Sequence, residues 1–292
     1  MFNRVAIIGL GLIGGSMGLA LRKAKAAQEV TGFDLGQGVS HSAYKMGAID
    51  QPYQALADAV RGAELVMLAT PVGAMRSLLQ EIAPHVMPGT IVTDVASTKV
   101  QVIKWAAEIL PTTVSFVGGH PMAGKELSGV EAADAALFHN CVYCLTPTAQ
   151  TRPEAVSKVC SLIETLGARV RFLEATEHDQ EVASVSHLPF LASVALVETV
   201  SGSASWHDAS LLAANGFRDV SRLAAGSPEM YRDICLTNSE VITRWLGEYI
   251  TVLQDMQERI AACDRDITEN FAHARDVRLQ WQMLQRATDV KE

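Results

Sequence analysis

The sequence lacks three features that would place the protein at a membrane, outside the cell or on a nucleic acid. No stretch reaches the roughly 18 continuous apolar residues of a membrane span. The N-terminus enters an apolar run and then glycines, without the apolar core and small-residue cleavage site of a signal peptide. No block of five or more lysines and arginines occurs, and the net charge is -8. We therefore expect a folded cytoplasmic protein with neither a membrane nor a nucleic acid as partner.

Cysteine is scarce and odd in number, with five residues among 292, which fits a reducing compartment. Cys141 and Cys144 are spaced like a redox or zinc pair. They lie in a strand-like run, however, where residues three apart point to opposite faces, and no second Cys/His pair is near. We predict core cysteines and no metal site.

Internal repeats and low-complexity linkers are also absent from the sequence. Hydrophobic side chains make up 49% of the residues, enough for a substantial core in one large domain or two ordinary ones. Because the protein is acidic, local cationic groups must meet any anionic ligand.

A glycine motif, Gly9-Leu-Gly11-Leu-Ile-Gly14, follows the first strand-like run, Val5 to Ile8. It opens a helical pattern and leads to a second strand that ends in Asp34. In this context the glycines permit a tight turn, close approach of the backbone to a pyrophosphate, and close packing of the helix. A carboxylate at Asp34 accepts hydrogen bonds from a ribose 2'-hydroxyl and repels a 2'-phosphate, and no arginine follows closely. We predict a dinucleotide site that prefers NAD to NADP.

Short apolar runs alternate with helical patterns as far as about residue 174, where the strand signals stop. This predicts an α/β fold of the Rossmann type, a doubly wound and mostly parallel sheet over residues 1–174, followed by an all-helical domain over residues 175–292. Ligands of such sheets bind beyond the carboxyl ends of the strands, although a helix cap or turn is the alternative role for each residue there. The predicted cofactor contacts are Gly9, Gly11, Leu12, Ile13, Gly14, Asp34, Thr70, Pro71 and Asp94.

One histidine, His120, follows the strand-like run Val114 to Val117 and lies between a glycine pair and a proline. Taken alone, such a histidine is more often structural than functional. We expect His120 on a loop fixed by these turn residues, at the same edge of the sheet as the glycine motif and Ser97. Its ring would then point into the ligand crevice.

Arg218 and Arg222 are four residues apart and share one face of a helix predicted over Phe217 to Ala224. In an acidic protein, such a pair is a candidate clamp for a carboxylate, because guanidinium groups bind carboxylates bidentately. The alternative is an exposed arginine pair that forms salt bridges with nearby aspartate or glutamate side chains.

Five motifs occur in order along the chain: Gly9-Leu-Gly-Leu-Ile-Gly-Gly-Ser16, Thr93-Asp-Val-Ala-Ser-Thr-Lys99, Gly118-Gly-His-Pro-Met-Ala-Gly124, Ser186-His-Leu-Pro189 and Gly216-Phe-Arg-Asp-Val-Ser-Arg222. In order and spacing they resemble the prephenate/arogenate (cyclohexadienyl) dehydrogenases of tyrosine biosynthesis, over nearly the whole chain. The resemblance implies an NAD-dependent oxidative decarboxylation of prephenate to 4-hydroxyphenylpyruvate, or of arogenate. Hydride leaves C4 of a cyclohexadiene, CO2 leaves C1, and the ring becomes aromatic. The resemblance also implies a homodimer formed through the helical domain.

The resemblance further implies roles for individual residues. His120 is the implied acceptor of the substrate's hydroxyl proton, and Ser97 the residue that orients it. Arg222 is implied to bind the substrate carboxylate, with Arg218 supporting it. His187 is implied to line the substrate pocket at the domain interface.

Phe190 departs from the family pattern, since many prephenate-preferring members carry a histidine at this position. A phenyl ring cannot hydrogen-bond to the substrate's polar side chain, so prephenate and arogenate both stay open as substrates. Two other classes stay open as well. A β-hydroxyacid dehydrogenase relies on a lysine in the interdomain helix, and residues 178–202 contain none. A non-catalytic NAD-binding regulator needs neither His120 nor the arginine pair.

Overall fold

The computed structural model describes residues 1–125 and 127–289, and eight strands in this part of the chain form one sheet. The strands are β1 (Phe2–Ile8), β2 (Ala27–Phe33), β3 (Gln51–Pro52), β4 (Leu65–Leu68), β5 (Ile91–Asp94), β6 (Ser115–Pro121), β7 (Val142–Thr146) and β8 (Arg169–Phe172). Their order across the sheet is β3-β2-β1-β4-β5-β6-β7-β8. The strand order reverses direction between β1 and β4, which is the switch point where ligands of doubly wound sheets bind.

Pairing in the sheet is parallel throughout the described strands except between β6 and β7, which run antiparallel. The predicted doubly wound, mostly parallel sheet is therefore confirmed. Helices accompany the sheet and then continue alone after β8. They are α1 (Leu12–Ala24), α2 (Val39–Lys45), α3 (Leu56–Val60), α4 (Met75–Ile82), α5 (Val100–Ile109), α6 (Pro153–Thr165), α7 (Ala175–Val182), α8 (Leu188–Ser201), α9 (Trp206–Leu211), α10 (Asn215–Ser221), α11 (Pro228–Thr237), α12 (Ser239–Ala261) and α13 (Ile267–Asp289).

Both faces of the sheet are covered, as the continuous apolar runs of its strands require. On β1, Val5 and Ile7 belong to one buried cluster, together with residues of α1 and α6. Ala6 and Ile8 belong to a second cluster, together with residues of α3, α4 and α5. Successive side chains of a strand point to opposite faces, so each central strand contributes to both layers.

The chain divides into two compact units, Met1–Ile242 and Thr243–Glu292. The first contains the sheet and the helices through α11. In the second, Arg259 of α12 bonds to Asn270 of α13 over 3.1 Å. Apolar side chains on these two helices are about half exposed, among them Leu253 at 46% and Trp281 at 51%.

The expectation that His120 lies on a loop was wrong, because β6 continues through it to Pro121. The first half of β6 pairs parallel with β5, with Thr93 opposite Val117. Beyond that point β6 pairs antiparallel with β7, and His120 lies opposite Cys144. The second partner prolongs the strand after the first has ended, so ladder hydrogen bonds, and not turn residues, fix the backbone at His120.

The helical run around Pro189 is interrupted. Residues Ala183–His187 form a π-helical segment between α7 and α8. Pro189 has no N–H to donate to the preceding turn, and a wider turn accommodates this loss. His187 is the last residue of that widened turn.

Three elements between β2 and β4 were not predicted: α2, β3 and α3 are short and carry weak periodicity. The helical region from Pro228 onward consists of two helices, α11 and α12, which meet at Asn238. Asn238 has a φ of -130°, outside the helical range.

Residues Ala175–Ser201 are long and apolar enough to cross a membrane, by length and composition alone. The same stretch carries His178 and Asp179, which are fully buried and hydrogen-bonded inside the first unit. These buried polar groups tie the first part of the stretch to β6 and to the start of α5.

Candidate active site

The glycine motif forms a tight turn between β1 and α1. Gly9 has a φ of +91°, which favours glycine, and a Cβ there would lie 2.5 Å from the carbonyl oxygen of Ala69. A Cβ on Gly14 would overlap the carbonyl oxygen of Gly9, so the helix could not approach the turn as it does. A Cβ on Gly11 would meet no atom within 4 Å. Gly11 therefore faces open space at the helix N-terminus, where a pyrophosphate would approach the backbone.

Asp34 follows β2 directly and supports the same turn. One carboxylate oxygen accepts from the backbone N–H of Leu10 over 2.7 Å, and the other from that of Gly36 over 2.7 Å. Asp34 also lines a cavity of about 200 Å³ together with Gln37, Ser40 and neighbouring residues. Each carboxylate oxygen keeps a further lone pair, so hydroxyl groups of a ribose can still be bound there.

Thr70 and Pro71 follow β4 at the switch point of the sheet. The Thr70 hydroxyl is buried and has no hydrogen-bond partner among the described residues. A buried hydroxyl without a partner costs free energy unless a ligand satisfies it. The Thr70 side chain lies beside Gly9, and with the open side of Gly11 its unpartnered hydroxyl fits a bound dinucleotide. Leu12 and Ile13, the other predicted contacts, form the first turn of α1.

Asp94 forms a fully buried ion pair with Lys99. Its two oxygens also accept from the backbone N–H groups of Ala96 and Gly119, over 2.9 and 3.0 Å. The Lys99 ammonium donates in addition to the Gly119 carbonyl over 2.7 Å. These partners enclose the Asp94 side chain, and the predicted cofactor contact at Asp94 stays a prediction. Asp94 and Lys99 fix the backbone immediately before His120.

His120 lies at the end of β6 with its ring against a second histidine. Its Nδ1 is 2.9 Å from Nε2 of His178, and the two ring centroids are 5.1 Å apart. Burial lowers the pKa of His120 well below its usual 6.5, and His178, Lys99 and His187 lower it further. His120 is therefore neutral at pH 7, which a proton acceptor requires.

His178 and Asp179 were not predicted as site residues. Both lie in the first turn and a half of α7 and are buried, at 0% and 1% exposure. Nδ1 of His178 is 2.8 Å from the Asp179 carboxylate. Sequence offers a weak signal for the pair, an adjacent His-Asp in an apolar helical run, and no signal for its contact with His120.

His187 is buried at 2% exposure, and its Nδ1 has no hydrogen-bond partner among the described residues. Burial lowers the pKa of His187 from 6.5 to about 4. Phe190, one turn further on, stacks on Tyr231 with ring centroids 3.3 Å apart and planes 4° from parallel. Phe190 is 7% exposed, so its ring is largely covered by protein.

The two arginines lie near α8, which begins just after His187. Arg218, on α10, bonds to the Asn215 side chain over 2.8 Å and lies 3.7 Å from Asp219. Arg222 begins a 3-10 turn directly after α10. Ser193 of α8 accepts from the backbone N–H of Ala224 over 2.9 Å, which anchors that turn to α8. Arg218 therefore lies within α10, whereas Arg222 lies one residue beyond its end, so the two arginines do not share one regular helix as predicted.

Ser97 is partly exposed between β5 and α5. Its hydroxyl makes no hydrogen bond to another described residue, so Ser97 is not hydrogen-bonded to His120 here, and its predicted role in orienting that histidine stays a prediction. A partly exposed hydroxyl at this edge is available to a ligand.

The cysteine pair lies beside the site without metal-binding geometry. Cys144 is buried on β7, Cys141 is half-buried, and all five cysteines are free. Burial raises the pKa of the Cys141 thiol to about 11 and also raises that of Cys144. Across the described residues, no group of three or more His, Cys, Asp or Glu side chains could hold a metal ion.

The fold brings a dinucleotide turn and a neutral, partly buried histidine to one edge of the sheet, which defines a dinucleotide-dependent dehydrogenase. A model of the nucleotide-binding domain of prephenate dehydrogenase matches residues 17–172, and one of its dimerization domain matches residues 174–274. The chain belongs to the prephenate dehydrogenase family. The predicted family is thereby confirmed.

Relatives along the whole chain carry related activities in their names. Prephenate dehydrogenase of Bacillus subtilis is 35% identical over 281 residues, which is 95% of this chain and 76% of the relative. Cyclohexadienyl dehydrogenase of Zymomonas mobilis is 34% identical over 282 residues, 96% of each chain.

Solved structures agree with this assignment. Prephenate dehydrogenase from Aquifex aeolicus, in complex with hydroxyphenyl propionate and NAD+, superposes with a TM-score of 0.89 at 29% identity, covering 96% of this chain and 98% of that one. Synechocystis arogenate dehydrogenase superposes with a TM-score of 0.81 at 31% identity, covering 95% of this chain and 99% of that one. A 3-hydroxyisobutyrate dehydrogenase from Mycobacterium tuberculosis gives 0.52 at 16% identity, a likeness of fold alone.

Proposed function

We propose that the chain is an NAD-dependent prephenate dehydrogenase that converts prephenate to 4-hydroxyphenylpyruvate and CO2. The observation that carries this proposal is the neutral, partly buried His120 at the ligand edge of the sheet, held through Nδ1 by His178. Oxidation of a secondary ring alcohol needs a group that takes up the hydroxyl proton as hydride leaves the same carbon. The family match supplies the substrate class.

The chain's own residues supply proton transfer and orientation. His120 Nε2 takes the proton of the substrate's 4-hydroxyl, and Ser97, on the same edge, orients that hydroxyl. When bound, NAD accepts the hydride that leaves C4. The bond between C1 and the ring carboxylate then breaks and CO2 departs. The electron pair of that bond stays with the ring and completes its aromatic system. The proton on His120 returns to the ring oxygen, because the net reaction releases no proton.

Binding of the anionic substrate requires positive charge in an acidic protein. Arg222 is the proposed partner of the substrate carboxylate, with Arg218 in support. His187 is the proposed polar contact of the substrate within the pocket, since its buried Nδ1 lacks a protein partner among the described residues. Asp34 supports NAD over NADP, because a carboxylate repels a 2'-phosphate.

Arogenate is the second candidate substrate, and Phe190 is the observation that favours it. Prephenate and arogenate differ only in the side chain, which bears a keto group in the first and an ammonium group in the second. Phe190 stacks on Tyr231 and offers no hydrogen bond that would select the keto acid. The relatives carry the names of prephenate, cyclohexadienyl and arogenate dehydrogenases.

A two-by-two assay tests the proposal: reduced cofactor is measured with prephenate and with arogenate, each with NAD and with NADP. We expect kcat/KM to be highest with prephenate and NAD, and at least about tenfold lower with NADP. In the Phe190→His variant, the preference for prephenate over arogenate should rise, whereas in Phe190→Leu it should not. Equal kcat/KM with both cofactors would refute the role of Asp34. Absence of turnover despite tight NAD binding would favour a non-catalytic regulator.

We also propose a cytoplasmic homodimer that assembles through the region matching the dimerization domain. The half-exposed apolar side chains of α12 and α13 support this proposal, because several exposed apolar side chains on one helix pair are typical of a protein contact. Light scattering after size exclusion should give twice the mass of the 31.4 kDa chain. A mass of one chain would contradict it. The functional division at residue 174, where the strands end, is likewise proposed.

A further inference from the structure

Three side chains form a continuous hydrogen-bonded chain that ends at the partly buried His120. Nδ1 of His120 lies 2.9 Å from Nε2 of His178, and Nδ1 of His178 lies 2.8 Å from Oδ1 of Asp179. His178 and Asp179 are almost completely inaccessible to solvent. These hydrogen bonds join α7 to the strand that carries His120, although His120 and His178 are 58 residues apart in the sequence.

Asp179 is fixed by the start of α5. Its Oδ1 accepts from the backbone N–H of Lys99 over 2.7 Å, and its Oδ2 accepts from that of Val100 over 2.9 Å. The side chain of Asn238 donates to the backbone carbonyl of Asp179 over 2.8 Å. The N-terminus of α5, a ten-residue helix, also favours negative charge on this carboxylate. Asp179 therefore acts as an acceptor and cannot turn away from His178.

The direction of each hydrogen bond follows from this fixed acceptor. His178 must donate from Nδ1 to Asp179, so its neutral ring leaves Nε2 as an acceptor. His120 must then donate from Nδ1, which leaves its Nε2 as the basic atom. No other protein group in the described contacts competes for that atom.

We propose that His178 and Asp179 are positioning residues that fix the tautomer and orientation of His120, so that Nε2 faces the substrate hydroxyl. Neither residue needs to touch substrate or cofactor. Their part resembles that of an aspartate that orients a catalytic histidine through its second ring nitrogen. This inference rests on the proposed function for its effect on turnover, although the tautomer itself can be observed in the resting protein.

The charged groups around His120 make His178 and Asp179 important once His120 takes up a proton. His178 and Asp179 lie on its α7 side, Lys99 with Asp94 lies on its α5 side, and His187 follows α7. Tyr143 and Cys144 face β6 from β7. Lys99, His178 and His187 disfavour a positive charge on His120, whereas a donor bond from Nδ1 toward the Asp179 carboxylate disperses that charge.

The experiment compares two substitutions at His178. The Gln side chain of His178→Gln places an acceptor near the former Nε2, whereas His178→Leu fills the space without one. We expect His178→Leu to lower kcat by about tenfold or more and to shift the acid limb of the kcat/KM pH profile, with KM changed less. His178→Gln should recover most of kcat. Equal losses in both variants with an unshifted pH profile would show a merely structural role and overturn the proposal.

A second measurement needs no turnover. Nitrogen-15 chemical shifts of labelled histidines distinguish a protonated ring nitrogen from an unprotonated one. In wild type, we expect His120 to be protonated at Nδ1 and unprotonated at Nε2, and this preference should weaken in His178→Leu. Protonation of His120 at Nε2 in wild type would overturn the inference even if the enzyme is active. The expected tautomer in a protein inactive on both substrates would instead refute only the proposed function.

Discussion

Hydrogen-bond partners decide which side chains near His120 can meet a substrate. Asp94, Lys99 and Asp179 are fully engaged by the protein itself. His187 Nδ1 is buried and has no partner among the described residues. A buried polar group without a partner costs free energy in the ligand-free protein, and a ligand that hydrogen-bonds to it removes that cost. His187 is therefore suited to bind the substrate, whereas Asp94 is suited to hold the backbone before His120.

Arg222 should act on substrate binding more than on the chemical step. We predict that Arg222→Ala raises KM for the substrate about tenfold or more while kcat changes less, because a carboxylate contact is present in both the ground state and the transition state. Arg218→Ala is the matched comparison and should have the smaller effect, since Arg218 is paired with Asn215 and Asp219. Steady-state kinetics measure both. An unchanged KM in Arg222→Ala would contradict its assignment.

At the scale of elements, the glycines of the turn between β1 and α1 have two different roles: Gly14 allows close packing, and Gly11 leaves room for the cofactor. We predict that Gly14→Ala lowers both Tm and NAD affinity, because its Cβ overlaps the Gly9 carbonyl. Gly11→Ala should keep Tm and weaken NAD binding about tenfold or more, since its Cβ points into the space that the pyrophosphate needs. Thermal melting and NAD titration report the two effects.

Gly247→Ala serves as the control for both variants. Gly247 lies within α12, a Cβ there meets nothing within 4 Å, and alanine favours helix. It should keep NAD affinity and leave Tm unchanged or higher. Normal NAD affinity in Gly11→Ala would show that the cofactor does not approach the turn there.

The elements also show which parts of the site could be predicted from sequence. The glycine turn and the end of β2 at Asp34 were predictable, because turn, helix start and strand end are local in sequence. The extension of β6 through His120 was not, because it depends on pairing with β7. His178 and Asp179 were missed for the same reason: their partners His120 and Lys99 lie 58 and 80 residues away.

Asp94 shows a different limit of local sequence patterns. Its place at a strand end is local and was predicted, but its buried partner Lys99 lies five residues further on, beyond a turn whose path sequence does not specify. The family and the α/β class were predictable from ordered motifs and from hydrophobic periodicity. The two compact units divide at Ile242 and Thr243, and the predicted division at residue 174 stays a prediction.

At the scale of the whole molecule, buried neutral histidines make folding sensitive to acid. The folded-state pKa of His187 is about 4, below its usual 6.5, so the unfolded chain binds more protons at intermediate pH. Stability is therefore full above pH 6.5 and is lost as pH falls toward 4. His187 alone should remove about 2 kcal/mol between neutral pH and about pH 5. The lowered pKa of His120 acts in the same direction.

We predict that Tm falls as pH is lowered from about 7.5 to about 5, and that His187→Gln makes this fall shallower. The exposed His207 provides the control, and His207→Gln should keep the wild-type slope. Calorimetry or circular dichroism across the range measures it. A slope in His187→Gln identical to wild type would show that His187 is not buried in its neutral form.

The central claim is that His120 accepts the substrate's hydroxyl proton, and the most direct measurement is kcat of His120→Asn on the preferred substrate beside wild type and His207→Asn. We predict a loss of about 100-fold or more in kcat for His120→Asn, the scale of losing a general base, with NAD affinity changed by less than about twofold. His207→Asn should match wild type. A His120→Asn enzyme with near-normal kcat would contradict the account.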